Sequence, residues 1–221
     1  MQTMTPPATP SIEPPTVGPD LTEPSFDFGL ESNLYRWSAD KFLEMVDANI
    51  FPGEARVFLW DGEIYEKTAK TQAHVTAANK ALLAIVRALP EGWFPGAENP
   101  VKVGEDKVPL PDLIVVRGVP DDYRVRCAEA ADVGLIVEVS VTSLQADPGP
   151  KLHGYARAGI ATYWVVDPTG GSVRAFADPA PDEGIYRSAS DHPRGDSIPL
   201  ALGHAAPFHI AVDDILPRLE D

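Results

Sequence analysis

Past residue 33 the chain switches repeatedly between two hydrophobic periods, and each switch marks an element boundary. Phe42, Leu43 and Val46 recur at helical spacing behind Ser38, a good N-cap, so a short helix is predicted there. In Arg56-Val-Phe-Leu-Trp-Asp-Gly-Glu-Ile-Tyr-Glu66, strand-forming residues flank Asp61-Gly62, a favoured hairpin turn. A helix from about Gln72 to Leu89 follows, with Val75, Ala78, Leu82, Ile85, Val86 and Leu89 on its apolar face. Val101–Val103 is a weak strand candidate. Leu110–Val116 and Gly134–Val139 are strong ones, almost wholly apolar, as expected of strands covered on both faces. Asp147 and Pro148 then suit the cap and first turn of another helix, with Leu152, Tyr155 and Ala156 inward and Gly159 at its end. Ile160–Val166 is a further strand, and Asp167-Pro-Thr-Gly-Gly171 is a turn. Ser172–Ala177 and Ile185–Arg187 read as outer strands, and Pro207–Ile215 as a closing strand and short helix. This order predicts an α/β (α+β) core, a mixed central β-sheet flanked by helices.

Composition changes the picture first at the N-terminus. Residues 1–33 hold Pro6, Pro7, Pro10, Pro14, Pro15, Pro19 and Pro24 among Thr and Ser, so a disordered, Pro-rich tail is expected before a domain spanning 34–221. Such a tail either binds a partner or is a dispensable leader, and composition favours the leader. Net charge is −15; the first thirty residues carry four acids and no base, which leaves −11 on the rest. That acidity counts against broad nucleic-acid binding and leaves room only for a local basic cleft. The single cysteine, Cys127, excludes an intrachain disulfide and fits a reducing compartment. No histidine pairs with cysteine at zinc-like spacing. The N-terminus lacks a basic start with an apolar stretch, and the most apolar window, Ala81–Leu89, is too short to span a bilayer, so a cytoplasmic protein without a membrane partner is expected.

Two acids stand out by their surroundings. Asp112 opens Leu-Ile-Val-Val, and Glu138 lies within Leu-Ile-Val-Glu-Val. A carboxylate inside an apolar strand is costly unless something compensates it. Each alone is explained by a hydrated strand end or an arginine partner. Together, on neighbouring strands, they could share a divalent cation, and hard cations favour carboxylate oxygens. There is no phosphate-cradling glycine loop and no Gly-x-Ser-x-Gly elbow.

Pro111-Asp112 and Glu138 are similar to the Pro-Asp…(Asp/Glu)-x-Lys signature of nucleases. Ile136-Val-Glu-Val-Ser140, Lys151-Leu-His-Gly-Tyr155-Ala-Arg-Ala-Gly-Ile160 and Tyr163-Trp-Val-Val-Asp167-Pro, with Asp61-Gly62-Glu63-Ile64 and His74 upstream, resemble the Uma2 family of restriction-type endonucleases. The resemblance runs from about Arg36 to Tyr186. It implies a PD-(D/E)XK, restriction-endonuclease-like core and a phosphodiester-cleaving site. Carried over by position, Asp112 and Glu138 would bind Mg²⁺ or Mn²⁺, Glu63 would be a third acid, and Lys151 the catalytic lysine. Nucleic acid, with DNA first, would be the substrate, and a homodimer or higher homo-oligomer is implied. Two departures matter. Ser140 stands where the signature has its lysine, and Phe58 stands where many family members carry Glu. These favour an alternative, a catalytically inactive nuclease-fold protein acting as a dimeric interaction or regulatory module.

Overall fold

The computed structural model describes residues 34–53, 55–140 and 149–218, and the architecture is that of the unit Tyr35–Asp221. The expected tail, residues 1–33, and the expected Asp147–Pro148 cap lie outside the described residues. Helix α1 (Ala39–Asp47) starts at Ser38, whose hydroxyl accepts the Lys41 N–H at 3.2 Å. Strands β1 (Val57–Trp60) and β2 (Glu63–Glu66) form a hairpin. Asp61 and Gly62 both have positive φ, 50° and 75°, as its two-residue turn requires. Ala39 and Phe42 of α1 pack with Leu59 and Val108 to form a small core of their own.

A six-stranded mixed sheet is the frame. It contains β3 (Trp93–Ala97), β5 (Leu113–Arg117), β7 (Val133–Val139), β8 (Thr162–Asp167), β9 (Ser172–Ala180) and β10 (Ile185–Pro193), in the order β10-β9-β8-β7-β5-β3. Among the described residues, β7 and β8 are the only parallel neighbours in this sheet, and helix α3 (Gly149–Arg157) lies between them in sequence. Side chains alternate along β5 and β7. Leu113, Val115, Leu135, Val137 and Val139 pack with helix α2 (Gln72–Ala88), whereas Ile114, Val116 and Ile136 pack with Leu152, Tyr155 and Ala156 of α3. Both faces are thus covered, which is why these strands read as unbroken apolar runs. Short ladders flank the sheet: β4 (Val101–Lys102) with β6 (Ala128–Glu129), and β11 (Ser197–Leu200) with β12 (Phe208–Ala211), the latter leading into α4 (Val212–Ile215).

Three sequence expectations need correction. The buried stripe of α2 is Ala77, Ala81, Ala84 and Ile85, while Val86 is exposed. Small alanines let the helix lie close to the sheet, and hydrophobicity alone gives them little weight. Strand β5 begins at Leu113 rather than Leu110, because prolines at 109 and 111 cannot donate to a ladder. Strand β3 falls in a segment to which the sequence assigned no element; at the border of the sheet it accommodates Pro95.

Candidate active site

The topology brings three acids to one end of the sheet. Strands β3, β5 and β7 are consecutive neighbours and antiparallel, so the end of β3, the start of β5 and the end of β7 coincide. Glu98, Asp112 and Glu138 occupy those three positions. Glu98 takes a left-handed backbone, φ 52°, and its N–H donates to Asp112 O at 3.1 Å. A non-glycine residue adopts that conformation only when its surroundings enforce it.

Asp112 is 2% exposed and surrounded by donors. Its Oδ1 lies 2.9 Å from Lys67 Nζ and 3.0 Å from Lys70 Nζ. Its Oδ2 accepts the Val139 N–H at 2.8 Å and meets His74 Nε2 at 2.9 Å. Burial by itself would raise the Asp112 pKa, but the Lys67 ammonium and the Val139 N–H outweigh it and hold the carboxyl well below the usual range. Lys70 also reaches Glu98 Oε1 at 2.8 Å, so one ammonium bridges two carboxylates; Arg56 Nη1 meets the same Oε1 at 2.8 Å. Burial disfavours charge on Glu98 as well, but the Lys70, Arg56 and Lys67 cations together outweigh it and lower the pKa. Glu138, 8% exposed, accepts from Lys151 Nζ at 2.8 Å and from Tyr155 OH at 3.0 Å, both through Oε1. Burial and the Glu138 charge push the Tyr155 phenol far above its ordinary pKa, which keeps it a donor.

Asp112 and Glu138 open into one cleft of about 470 Å³, whose walls include Phe58, Lys67, Lys70, His74, Ser140 and Lys151. Lys151, one turn before Tyr155 on α3, reaches back to the end of β7. Glu63 does not join them. It sits beyond the hairpin turn, paired with Arg36 at 2.8 Å and with Tyr65 OH at 2.6 Å, and does not line the cleft. Lys67, Lys70 and Glu98 escaped sequence reasoning, as did the position of His74 on Asp112. The only local hint was the spacing of Lys67, Lys70 and His74, which run into α2 behind its Thr71 cap.

Asp112 and Glu138 supply the oxygen donors that a hard divalent cation favours, and here protein donors hold them: Lys67, Lys70, His74 and the Val139 N–H on Asp112, Lys151 and Tyr155 on Glu138. Two carboxylates from adjacent strands face one opening, and Lys70 already supplies cationic charge between Asp112 and Glu98. Among the described residues no three His, Cys, Asp or Glu side chains converge on one point. A cation held by Asp112 and Glu138 would therefore keep several water ligands, as Mg²⁺ commonly does.

The family profile described as "Uma2: Putative restriction endonuclease" matches residues 39–213. The chain belongs to the Uma2 family. Among solved structures, it is similar to one described as a "putative nuclease belonging to DUF820" from Anabaena variabilis. The TM-score is 0.58 at 16% identity, covering 80% of this chain and 96% of that one. That likeness shows the fold of this Uma2 protein, a central mixed sheet flanked by helices. A comparison with curated proteins gives no match.

Proposed function

We propose that this Uma2 protein is a metal-dependent endonuclease that hydrolyses nucleic-acid phosphodiester bonds, with DNA as the first substrate to test. One observation carries the reading: Asp112 and Glu138, buried at adjacent strand ends, share a cleft with Lys67, Lys70 and Lys151. Asp112 and Glu138 would hold Mg²⁺ or Mn²⁺, which when bound supplies Lewis-acid charge at phosphorus and acidifies water. The chain's own residues do the rest. The Val139 N–H and the Tyr155 hydroxyl fix the two carboxylates in place. Lys67 and Lys70 line the same cleft as the positive charge nearest a phosphate backbone, although each is also paired with Asp112, and Lys70 with Glu98. Lys151 takes the place of the lysine absent at Ser140, positioning the attacking water beside Glu138.

A second reading has a specific observation behind it. Both oxygens of Asp112 are already satisfied by protein donors, so the carboxylate is compensated without an added ion, as a non-catalytic binding module would require. Cleavage assays on supercoiled plasmid, single-stranded DNA and RNA in Mg²⁺ or Mn²⁺ separate the two. The endonuclease reading expects metal-dependent scission that Asp112→Asn and Glu138→Gln each reduce by about 100-fold or more. Nucleic-acid binding without scission in either metal would support the module instead. We further infer a reducing, cytoplasmic setting. That follows from the single cysteine; Cys127, half-buried, donates to Pro100 O, and burial pushes its thiol up to about 11. Among the described residues no helix is long and apolar enough to cross a membrane.

A further inference from the structure

One residue of the cleft has no part in its charge chemistry. Among the described residues that line it, Phe58 is the one phenyl ring, set among Lys67, Lys70, His74, Asp112, Glu138 and Lys151. The ring is only half-buried, so part of its apolar surface meets water, which is unfavourable until something apolar covers it.

The ring is also held in place. Phe58 stands opposite Tyr65 in the β1–β2 ladder, and the two rings stack with centroids 5.4 Å apart at 22°. The Tyr65 phenol donates to Glu63 Oε2 at 2.6 Å, and Glu63 pairs with Arg36, which ties the outer ring to the hairpin. Phe58 packs as well against the core cluster that contains Trp60 and Tyr155. Tyr155 in turn donates to Glu138, so the ring and that carboxylate share one packed support. Aromatic surface fixed in this way loses little conformational entropy when a ligand covers it.

We propose that Phe58, backed by Tyr65, is a stacking platform for an unpaired base, and that the cleft takes single-stranded nucleic acid. This assignment rests on the nuclease reading of the cleft and adds the kind of strand it takes. Size and charge both favour a single strand. A cleft of about 470 Å³ is in the range that holds one small molecule, and it is too small to enclose a stretch of duplex. Inside a duplex each base has neighbours on both faces. Laying one on Phe58 requires unstacking and unpairing it, a penalty that a strand already single avoids. Duplex affinity comes chiefly from many phosphate contacts. Here the net charge is −15, and Lys67, Lys70 and Lys151 are each paired with a carboxylate. Base stacking adds affinity without adding positive charge, and it accepts every base because each has a π face.

Fluorescence anisotropy on the full chain, in Ca²⁺ without Mg²⁺ or Mn²⁺, tests it. The DNA probes have equal length: oligothymidylate, an all-abasic strand with the same phosphates, and a duplex. Oligouridylate alongside distinguishes ribose from deoxyribose strands. Wild type is expected to bind oligothymidylate about fivefold or more tightly than either the abasic strand or the duplex. Phe58→Leu keeps an apolar side chain for the core and removes the ring. It should weaken oligothymidylate binding by about fivefold or more and leave the abasic strand unchanged. Phe58→Trp should retain the preference, with native circular dichroism in both variants. Equal wild-type affinity for strands with and without bases, a preference for duplex, an equal loss on both strands in Phe58→Leu, or no binding by wild type to any strand would each overturn the proposal. A base-dependent preference without scission in Mg²⁺ or Mn²⁺ would instead overturn the nuclease reading and leave the platform standing.

Discussion

At the scale of single residues, the cleft is a set of buried charges that compensate one another. Asp112 was legible in the sequence because a carboxylate opening an apolar strand demands an explanation, and Glu138 was legible for the same reason. Their partners were not. Lys67 and Lys70 lie in a polar stretch where lysines look like ordinary surface residues, and only the docking of α2 against the sheet brings them to Asp112. Glu98 follows a strand that the sequence hides behind a proline. Glu63 was a candidate only through family position, and the hairpin turns it toward Arg36. The Asp112 carboxyl is held below its ordinary value of 3.8, so its ion pairs contribute stability that is complete above that pH and fades as pH falls toward the depressed value. Asp112→Asn should therefore cost about 3 kcal/mol near neutral pH, with the gap to wild type narrowing below about pH 4. Urea unfolding across that range checks it; a gap that widens on acidification would contradict the assignment.

At the scale of elements, the geometry depends on how closely α3 lies on the hairpin. Gly154 faces Trp60, and a Cβ there would come within 2.5 Å and 2.7 Å of ring atoms. Alanine is the better helix former by about 1 kcal/mol, yet here it must push α3 away from the indole. Gly154→Ala should therefore destabilise by about 1–3 kcal/mol in urea unfolding. Because Lys151 and Tyr155 ride on the same helix, it should also weaken cation binding at Glu138. An unaltered midpoint would mean that the close approach is not a constraint. The α2 stripe carries the same lesson about legibility. Element types followed from periodicity, whereas the face of α2 did not, since close packing selects alanine over the larger Val86.

At the scale of the whole molecule, 33 acids face 18 lysines and arginines, yet Lys67, Lys70 and Lys151 gather at one cleft. The same lining carries Glu66, Asp112 and Glu138, so the local field there would turn positive only if a cation were bound to the carboxylates. Oligonucleotide binding should accordingly be weak and strongly salt-dependent. Lys67→Glu/Lys70→Glu should lower affinity at least about tenfold in fluorescence anisotropy and flatten the salt dependence. Equal loss on reversing lysines away from the cleft would argue against a focused site. The central claim is that Asp112 and Glu138 together hold a divalent cation, and Mn²⁺ titration calorimetry tests it without needing the right substrate. The account predicts saturable binding by wild type that disappears in Asp112→Ala/Glu138→Ala while circular dichroism stays native. No binding by wild type, or unchanged binding by the folded double variant, would contradict it.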